Sequence, residues 1–523
     1  MVNLVEQGIL LPLALVPLVL VVLMGGAPFI LRSSAAHMVR AVWALFALVW
    51  LCALVIFGLV IVHGPFNFSL LTVSLASTPV VLAGLLVDRV SASMLLLVVT
   101  VSGIVHLYSL RAMQEERHFR RYFFLLSLVT FEVIFVILAN NLVMLGLFWI
   151  LKGFTLTFLL AHYQHRTASW HAAWMKLRVD IVGDLAILGA LVLTWISFHT
   201  FSIQDLHTAI LHTGPGRIGI QGTVLTLLLL VAAMAKSAQF PLHSWLPESV
   251  EAPTPVSALM HAGLINAGGF LLIRLSDLFV ATPFTMALAI VIGSLTVLYG
   301  TMVMLTRNDV KGMLVYSTMG QMGFMILECG LGMFALALLH IIVHGLFKAH
   351  SFLSSGSVVQ QKNADRLLAQ HESVSSPVSA RTLLAIGLVV ALAFAVIQMA
   401  IGAQLNPGSL VLLFAWMTII HALARMPRML VSSLRRLLLG SVSLIGVILL
   451  YSIAIHAVEA FFAPSVAASP FTQDVFLYMS GVLLLLVGLI SIMLPSLRWP
   501  QWLNTFLKRL YVFALYSGVR KIG

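Results

Sequence analysis

The stretch KSAQFPLHSWLPESVEAPTPVSALMHAGLINAGGFLLIR, Lys236–Arg274, decides how the chain is read. A long apolar run, Leu225–Ala235, leads into it, and Lys236 closes that run with an ammonium group. Pro241, Pro247, Pro253 and Pro255 follow. Each proline removes a backbone donor and clashes with the turn before it, so no straight helix runs through the segment. A second apolar helix then begins and carries His261 near its middle. Broken backbone at membrane depth is tolerated only where protein or water satisfies the freed groups. An ionisable side chain there is expensive and reads by default as functional. An interrupted apolar segment is also the best sequence pointer to an ion or substrate site in a transporter.

Composition places this stretch in a membrane. Of 523 residues, 61% are hydrophobic and only 9% charged, against about 25% charged in a soluble globular protein. A span takes roughly 20 apolar residues. A hydropathy window yields about fifteen such segments: Gly8–Leu31, Val39–His63, Val90–Leu110, Phe119–Ala139, Asn141–Tyr163, Met175–Phe198, Thr223–Phe240, Thr254–Leu275, Pro283–Leu305, Asp309–Gly330, Met333–Ser355, Leu383–Gly402, Ser409–Ala424, Leu437–Val458 and Val475–Leu494. The fold class is therefore an all-α polytopic membrane protein. MVNLVEQG carries no basic n-region, and no small-residue cleavage site follows the first apolar run, which reads as a retained helix. Between the second and third segments, FNFSLLTVSLASTPVVLAGLLVD is rich in β-branched residues and broken by Ser-Thr-Pro. It reads as a hairpin on the outer face, with a re-entrant helix as the alternative for part of it.

The net charge of +12 sorts by loop. One set of alternate loops and their flanks holds Arg32 and Arg40; Arg111, Arg117, Arg120 and Arg121; Arg166, Lys176 and Arg178; Arg307 and Lys311; Lys362, Arg366 and Arg381; and Arg425, Arg428, Arg435 and Arg436. The opposite side has Arg89, Arg217 and Arg274. By the positive-inside rule the N-terminus lies outside and the C-terminus in the cytoplasm, and the basicity is a topology signal rather than a nucleic-acid footprint. The two cysteines, Cys52 and Cys329, lie in different segments, and no CxxC or Cys–His cluster occurs, so no zinc or iron–sulfur site is expected in this chain. The loop Gln360–Ala380 is the longest hydrophilic connector, and the tail Trp499–Arg520 reads as an interfacial amphipathic helix or docking segment.

Lys152, Lys236 and Lys348 lie deep inside segments. Glu132 and Lys152 sit near mid-depth on consecutive segments, where they can pair, as a structural ion pair or as part of a proton path. Asp184 is a counter-charge for Lys236 or Lys152, whereas Asp180, one turn earlier, lies nearer the inner face and reads as solvated. The eleventh segment, MFALALLHIIVHGLFKAHSFLSSGS, spaces His340, His344 and Lys348 at i, i+4, i+8, on one helical face. A column of titratable groups along the membrane normal is what a proton relay needs, each hop requiring hydrogen-bond reach directly or through water. Histidine suits that work near neutral pH, and an amine taken out of water gives up its proton more readily. In the tenth segment, Tyr316, Ser317, Thr318 and Gln321 either hold water beside that column or simply pack.

KSAQFPLHSWLPESVEAPTPVSALMHAG resembles the signature of the proton-translocating, antiporter-like membrane subunits of respiratory complex I and Mrp cation/proton antiporters; VKGMLVYSTMGQMGFM and LLHIIVHGLFKAHSFLSSGSV are similar to its next two signatures. The resemblance spans roughly Arg111–Val359. It implies two inverted five-helix repeats with broken helices, a central proton-carrying lysine at Lys236, and a hydrophilic axis continued by His261, His340, His344 and Lys348. Asp184, in VGD, matches the family's Gly-Asp pair. The chain departs from the family at Ile150, where the fifth helix usually has a glutamate after tryptophan; an acid stands instead at Glu132. It departs again at Ile181, where the family has an arginine, and in LLAIGLVVALAFAVIQMAIG, which lacks the lysine or acid of the second broken helix.

Those departures and the C-terminal RLYVFALYSG are more similar to the DabB branch, the membrane subunits of two-part inorganic-carbon uptake systems. The resemblance then implies a DabA-like, zinc-containing, cytoplasm-facing partner, no cofactor in this chain, and an ion path of protons or Na+ in a bacterial inner membrane. The alternative is a proton-pumping subunit of an NADH–quinone oxidoreductase-like complex or an Mrp-type antiporter. The expected organisation is N-terminal helices over 1–110, a first repeat over 111–280, a second over 281–430, and C-terminal helices with an amphipathic tail over 431–523.

Overall fold

The computed structural model describes residues 2–30, 35–75, 78–213, 218–356, 450 and 453–467. Helices α1 (Val2–Ile30) and α2 (Ala35–His63) lead into an antiparallel hairpin of β1 (Phe66–Leu75) and β2 (Thr78–Val87). Then come α3 (Arg89–Ala112), α4 (Phe119–Leu138), α5 (Leu142–Leu160), α6 (Thr167–Phe198), the short α7 (Ile203–Thr213) and α8 (Gly219–Lys236). Past the break lie α9 (Trp245–Glu248), α10 (Thr254–Ala262), α11 (Ala267–Arg274) and α12 (Ser276–Val280), followed by α13 (Pro283–Thr306), α14 (Val310–Gly330) and α15 (Phe334–Leu353).

Among the described residues, ten helices are long and apolar enough to cross a membrane, with Thr254–Arg274 counted as one interrupted span. Val310–Gly330 is a further helix outside that set. The expected spans Leu383–Gly402, Ser409–Ala424 and Val475–Leu494 lie outside the described residues, as do the loop Gln360–Ala380, the second broken helix and the tail. Of the expected span Leu437–Val458, the described part runs on as a helix over Ile453–Phe462. It docks on the start of α3, where Arg89 donates to the Phe461 carbonyl at 2.6 Å.

The expected hairpin is a two-stranded sheet with no re-entrant helix. Two boundaries shift. α6 begins at Thr167 rather than Met175, because the polar first turns of this 32-residue helix fail a hydropathy window although they are regular helix. α8 stops at Lys236 rather than Phe240: Ala238 adopts a left-handed φ of 48°, and a proline follows at Pro241.

Close packing rests on small residues at helix crossings, as membrane bundles require. A Cβ on Gly323 of α14 would lie 2.8 Å from the Val297 nitrogen of α13, and one on Gly268 of α11 would lie 2.5 Å from the Ala233 carbonyl of α8. At the start of α3, Asp88 and Ser91 form a reciprocal capping box. Asp88 also accepts from Arg274 Nη1 at 2.7 Å, and Arg274 Nη2 donates to the Ile137 carbonyl at 3.2 Å. Arg274 is thus a buried clamp between α11, α3 and α4, not the loop-flank charge that its sequence position suggests.

Candidate ion-translocation site

The break after α8 is built from its own sequence. Trp245 donates to the Ala235 carbonyl at 3.1 Å, filling an acceptor left open at the helix end. Ser237 donates to the Ile265 carbonyl at 2.6 Å and accepts from the Gly268 amide at 3.1 Å. One serine therefore ties the end of α8 to the second interruption, the tight turn Leu264–Asn266 between α10 and α11. Pro253 and Pro255 stand at the N-cap and first turn of α10, where a missing amide hydrogen costs little. The prolines place the interruption, and the serine and tryptophan satisfy the backbone it frees.

Lys236 sits at this break, buried, with Nζ 3.0 Å from Asp184 Oδ1 and 3.1 Å from Asp180 Oδ1. The ammonium is thus held between two carboxylates by charge. Asp180 is not solvated; it is 1% exposed. Its other oxygen is the partner of Lys176, which also donates to the Gly153 carbonyl at 3.0 Å. Lys176, which reads from sequence as an inner-loop flank, is a buried member of the site, 2% exposed. The earlier start of α6 carries it inward, and its i, i+4 spacing to Asp180 was the available signal.

Glu132 and Lys152 do not pair. Glu132 Oε1 accepts from Thr155 at 2.8 Å, while Lys152 lies 4.5 Å from the centroid of the Trp149 ring. Lys236 approaches the same ring at 6.0 Å. A cation favours an aromatic face, and the Trp149 ring, one turn back on α5, supplies that contact for Lys152. Lys152, Lys236, Lys176 and Asp180 line one cavity of about 20 Å³ with Leu264 and Ile265 of the second interruption, room for roughly one or two waters.

The histidine column forms as its spacing requires. On α15, His340 and His344 have ring centroids 5.9 Å apart, and Lys348, 1% exposed, donates to the Leu314 carbonyl at 3.0 Å. Phe352, one turn further on, stacks on the His261 ring at 4.4 Å, which joins α10 to the column. His261 is fully buried with neither ring nitrogen hydrogen-bonded to protein, and His344 Nε2 is likewise unpartnered. At the other end His340 bridges Glu328 and Gln321, each at 2.9 Å. Gln321 therefore binds the column directly. Glu328, 3% exposed, is a buried acid near the end of α14 that joins the column through His340.

The structure thus brings Lys236, Asp184, Asp180, Lys176 and Lys152 into one cluster, and His340, His344, Lys348 and His261 into a second. The break at 262–266 lies between them, and Glu132, bonded to Thr155, is ion-paired with neither. Membrane-length helices around a buried lysine–aspartate cluster, at a break that faces a histidine column, define an antiporter-like membrane subunit. Residues 139–432 match the family described as "NADH:quinone oxidoreductase/Mrp antiporter, TM", and residues 76–123 match "NADH-Ubiquinone oxidoreductase (complex I), chain 5 N-terminus". The chain belongs to the NADH:quinone oxidoreductase/Mrp antiporter membrane-subunit family.

It is 45% identical over 283 residues to a "Probable inorganic carbon transporter subunit DabB1" of Halothiobacillus neapolitanus, covering 53% of this chain and 50% of that protein. It is 34% identical over 353 residues to the chloroplast NAD(P)H-quinone oxidoreductase subunit 5 of Nymphaea alba, covering 66% of this chain and 47% of that one. The matches thus span about half the length of these relatives. Among solved structures, the Mrp complex of Dietzia sp. DQ12-45-1b superposes with a TM-score of 0.60 at 22% identity, over 98% of this chain and 52% of that one. An archaeal membrane-bound sulfane sulfur reductase does so at 0.58 and 17%, over 97% and 96%. At these identities the likeness is one of fold.

Proposed function

We propose that this protein is the ion-conducting membrane subunit of an energy-coupled inorganic-carbon uptake complex. Protons, or Na+, cross through Lys236, Asp184 and Lys152, past the break to His261, and along His344, Lys348 and His340, with Glu132 as an accessory acid beside Lys152. Their downhill flow drives capture of CO2 or bicarbonate by a DabA-like, cytoplasm-facing partner, which carries the zinc. The subunit resides in a bacterial inner membrane with its N-terminus outside and its C-terminus in the cytoplasm. The observation that carries the conduction reading is the Lys236 ammonium, held by charge between two carboxylates at the end of a broken helix and opening on a water-sized cavity. An ionisable group buried at such a break is expensive unless it serves function. The likeness to the DabB1 protein supports the carbon coupling.

Lys236→Ala is expected to abolish growth that depends on uptake at low CO2 while the complex still assembles; normal uptake in that variant removes the lysine from the path. A second reading, a proton-pumping subunit of a quinone-reducing complex, is favoured by the longer match to the chloroplast subunit 5 proteins. Purification with the native partner separates the two, since a large zinc protein supports the first and quinone-reducing subunits the second.

A further inference from the structure

Outside this axis, the seam between α3 and α4 holds a ladder of buried polar side chains that conduction through Lys236 does not use. The rungs are Ser102–Thr130, with oxygens 2.7 Å apart; His106–Ser127, with Nε2 2.8 Å from Oγ; and Ser109–Tyr122, with oxygens 2.9 Å apart. All six residues are at most 2% exposed. Their partners follow from two antiparallel helices, each presenting one face: 102, 106 and 109 ascend α3 as 130, 127 and 122 descend α4. The first rung opens on a cavity of about 10 Å³ at the helix break, bounded by Thr130, Ala262, Gly263 and Leu264, the two residues after His261 among them. The last rung abuts the α5–α6 loop, where the Tyr122 ring meets His162 edge-on at 5.3 Å.

The acceptors fix the direction of the upper two rungs. His106 Nδ1 lies 2.7 Å from the Ser102 carbonyl, which can only accept, so Nδ1 carries the hydrogen. In the neutral ring Nε2 then accepts from Ser127. Thr130 spends its hydrogen on the Leu126 carbonyl at 2.9 Å, so Ser102 donates to Thr130. Ser127 thus donates to His106 and Ser102 to Thr130, both toward the break, while the Nδ1 hydrogen rests on the Ser102 carbonyl with Ser102 Oγ 3.2 Å away. Hydroxyls serving only as packing have no need of a common polarity.

We propose that the series Ser127–His106–Ser102–Thr130 is a second proton conductor, delivering protons to the break beside His261; the proposal rests on the reading that the chain moves protons. A proton reaching Ser127 Oγ sends that residue's own hydrogen to His106 Nε2. Nδ1 passes its hydrogen to Ser102 Oγ, Ser102 passes one to Thr130, and Thr130 releases one to a water in the cavity. One proton enters, one leaves, and turning of the hydroxyls and the ring resets the chain. The cavity is otherwise walled by Leu97, Val98, Val101, Val133 and Leu259, an apolar constriction of the kind that gates by dewetting.

The test measures proton flux in proteoliposomes carrying the purified native complex, with a pH-sensitive dye inside, for wild type, Lys236→Ala, His106→Gln, Thr130→Val and Thr130→Ser. Thr130→Val keeps the shape and removes the hydroxyl, so it reports even where His106→Gln fails to assemble. The expected result is a loss of about tenfold or more for His106→Gln and Thr130→Val, and near-wild-type flux for Thr130→Ser, which restores the hydroxyl. Flux within twofold of wild type in Thr130→Val, with Lys236→Ala inactive, overturns the ladder and leaves the central lysine standing. No proton flux in wild type itself overturns both.

Discussion

Lys236 and Asp180 meet 3.1 Å apart because the residue facing them from α5, Gly153, has no side chain. A Cβ at Gly153 would lie 2.7 Å from Lys236 Nζ and 2.9 Å from Asp180 Oδ2. The obstruction falls on the flexible end of a lysine, so the fold can absorb it and the ion pair cannot. Gly153→Ala is expected to leave the complex intact, since alanine is favoured over glycine inside a helix by about 1 kcal/mol, and to stop conduction. Thermal unfolding in detergent checks the first half and ion flux the second; unchanged flux would show that the Lys236–Asp180 spacing does not matter.

Lys176 shares Asp180 with Lys236, so removing it changes what Lys236 feels. Lys176→Met leaves Asp180 with Lys236 as its remaining counter-charge and is expected to destabilise the protein, by less than the roughly 3–5 kcal/mol of a buried ion left with no partner. Conduction also slows, because Asp180 now holds the Lys236 ammonium more firmly. Lys176→Met with Asp180→Asn should recover part of the stability, since a site emptied of both charges has no unpaired ion. Strict additivity of the two single changes in a chemical-denaturation series would show the pair to be uncoupled.

What the sequence exposed here were features that a membrane makes expensive. Lys236 ends an apolar run, four prolines crowd the next turns, and His340, His344 and Lys348 repeat every fourth residue; each contradicts a lipid-facing helix. What stayed hidden depended on depth and partner. Lys176 and Asp180 were misplaced because a hydropathy window cannot see the polar first turns of α6. Glu132 and Lys152 stand on adjacent helices, but Glu132 accepts from Thr155 and Lys152 lies against the Trp149 ring, and that is a matter of packing. The α3/α4 ladder escaped because each serine or threonine is ordinary alone, and only the antiparallel pairing of two faces makes them a series.

His340 holds two acceptors of α14, Glu328 and Gln321, and so connects the column to an acid at its far end. His340→Ala is expected to lower ion flux by about tenfold or more, and Glu328→Gln to do the same while leaving the His340 contacts in place. A smaller effect of Glu328→Gln than of its Ala counterpart would indicate that Glu328 only positions the ring. Flux in both variants equal to wild type would place the exit of the path elsewhere than at His340.

Arg274 and Asp88 offer a stability test free of the conduction path. Their side chains are 3% and 10% exposed, and the guanidinium also donates to the Ile137 carbonyl, so one residue joins α11, α3 and α4. Arg274→Ala leaves the buried Asp88 carboxylate without its counter-charge and is expected to cost about 3–5 kcal/mol. Arg274→Lys restores the charge but not the planar fork that reaches both acceptors at once, and should recover only part of the loss. The Asp88 carboxylate also caps α3 through Ser91, so Asp88→Asn, which can still accept from the Ser91 amide, should cost less than Asp88→Ala. Melting temperatures in one detergent rank the four variants. An Arg274→Lys protein as stable as wild type would reduce the clamp to a simple attraction of charges.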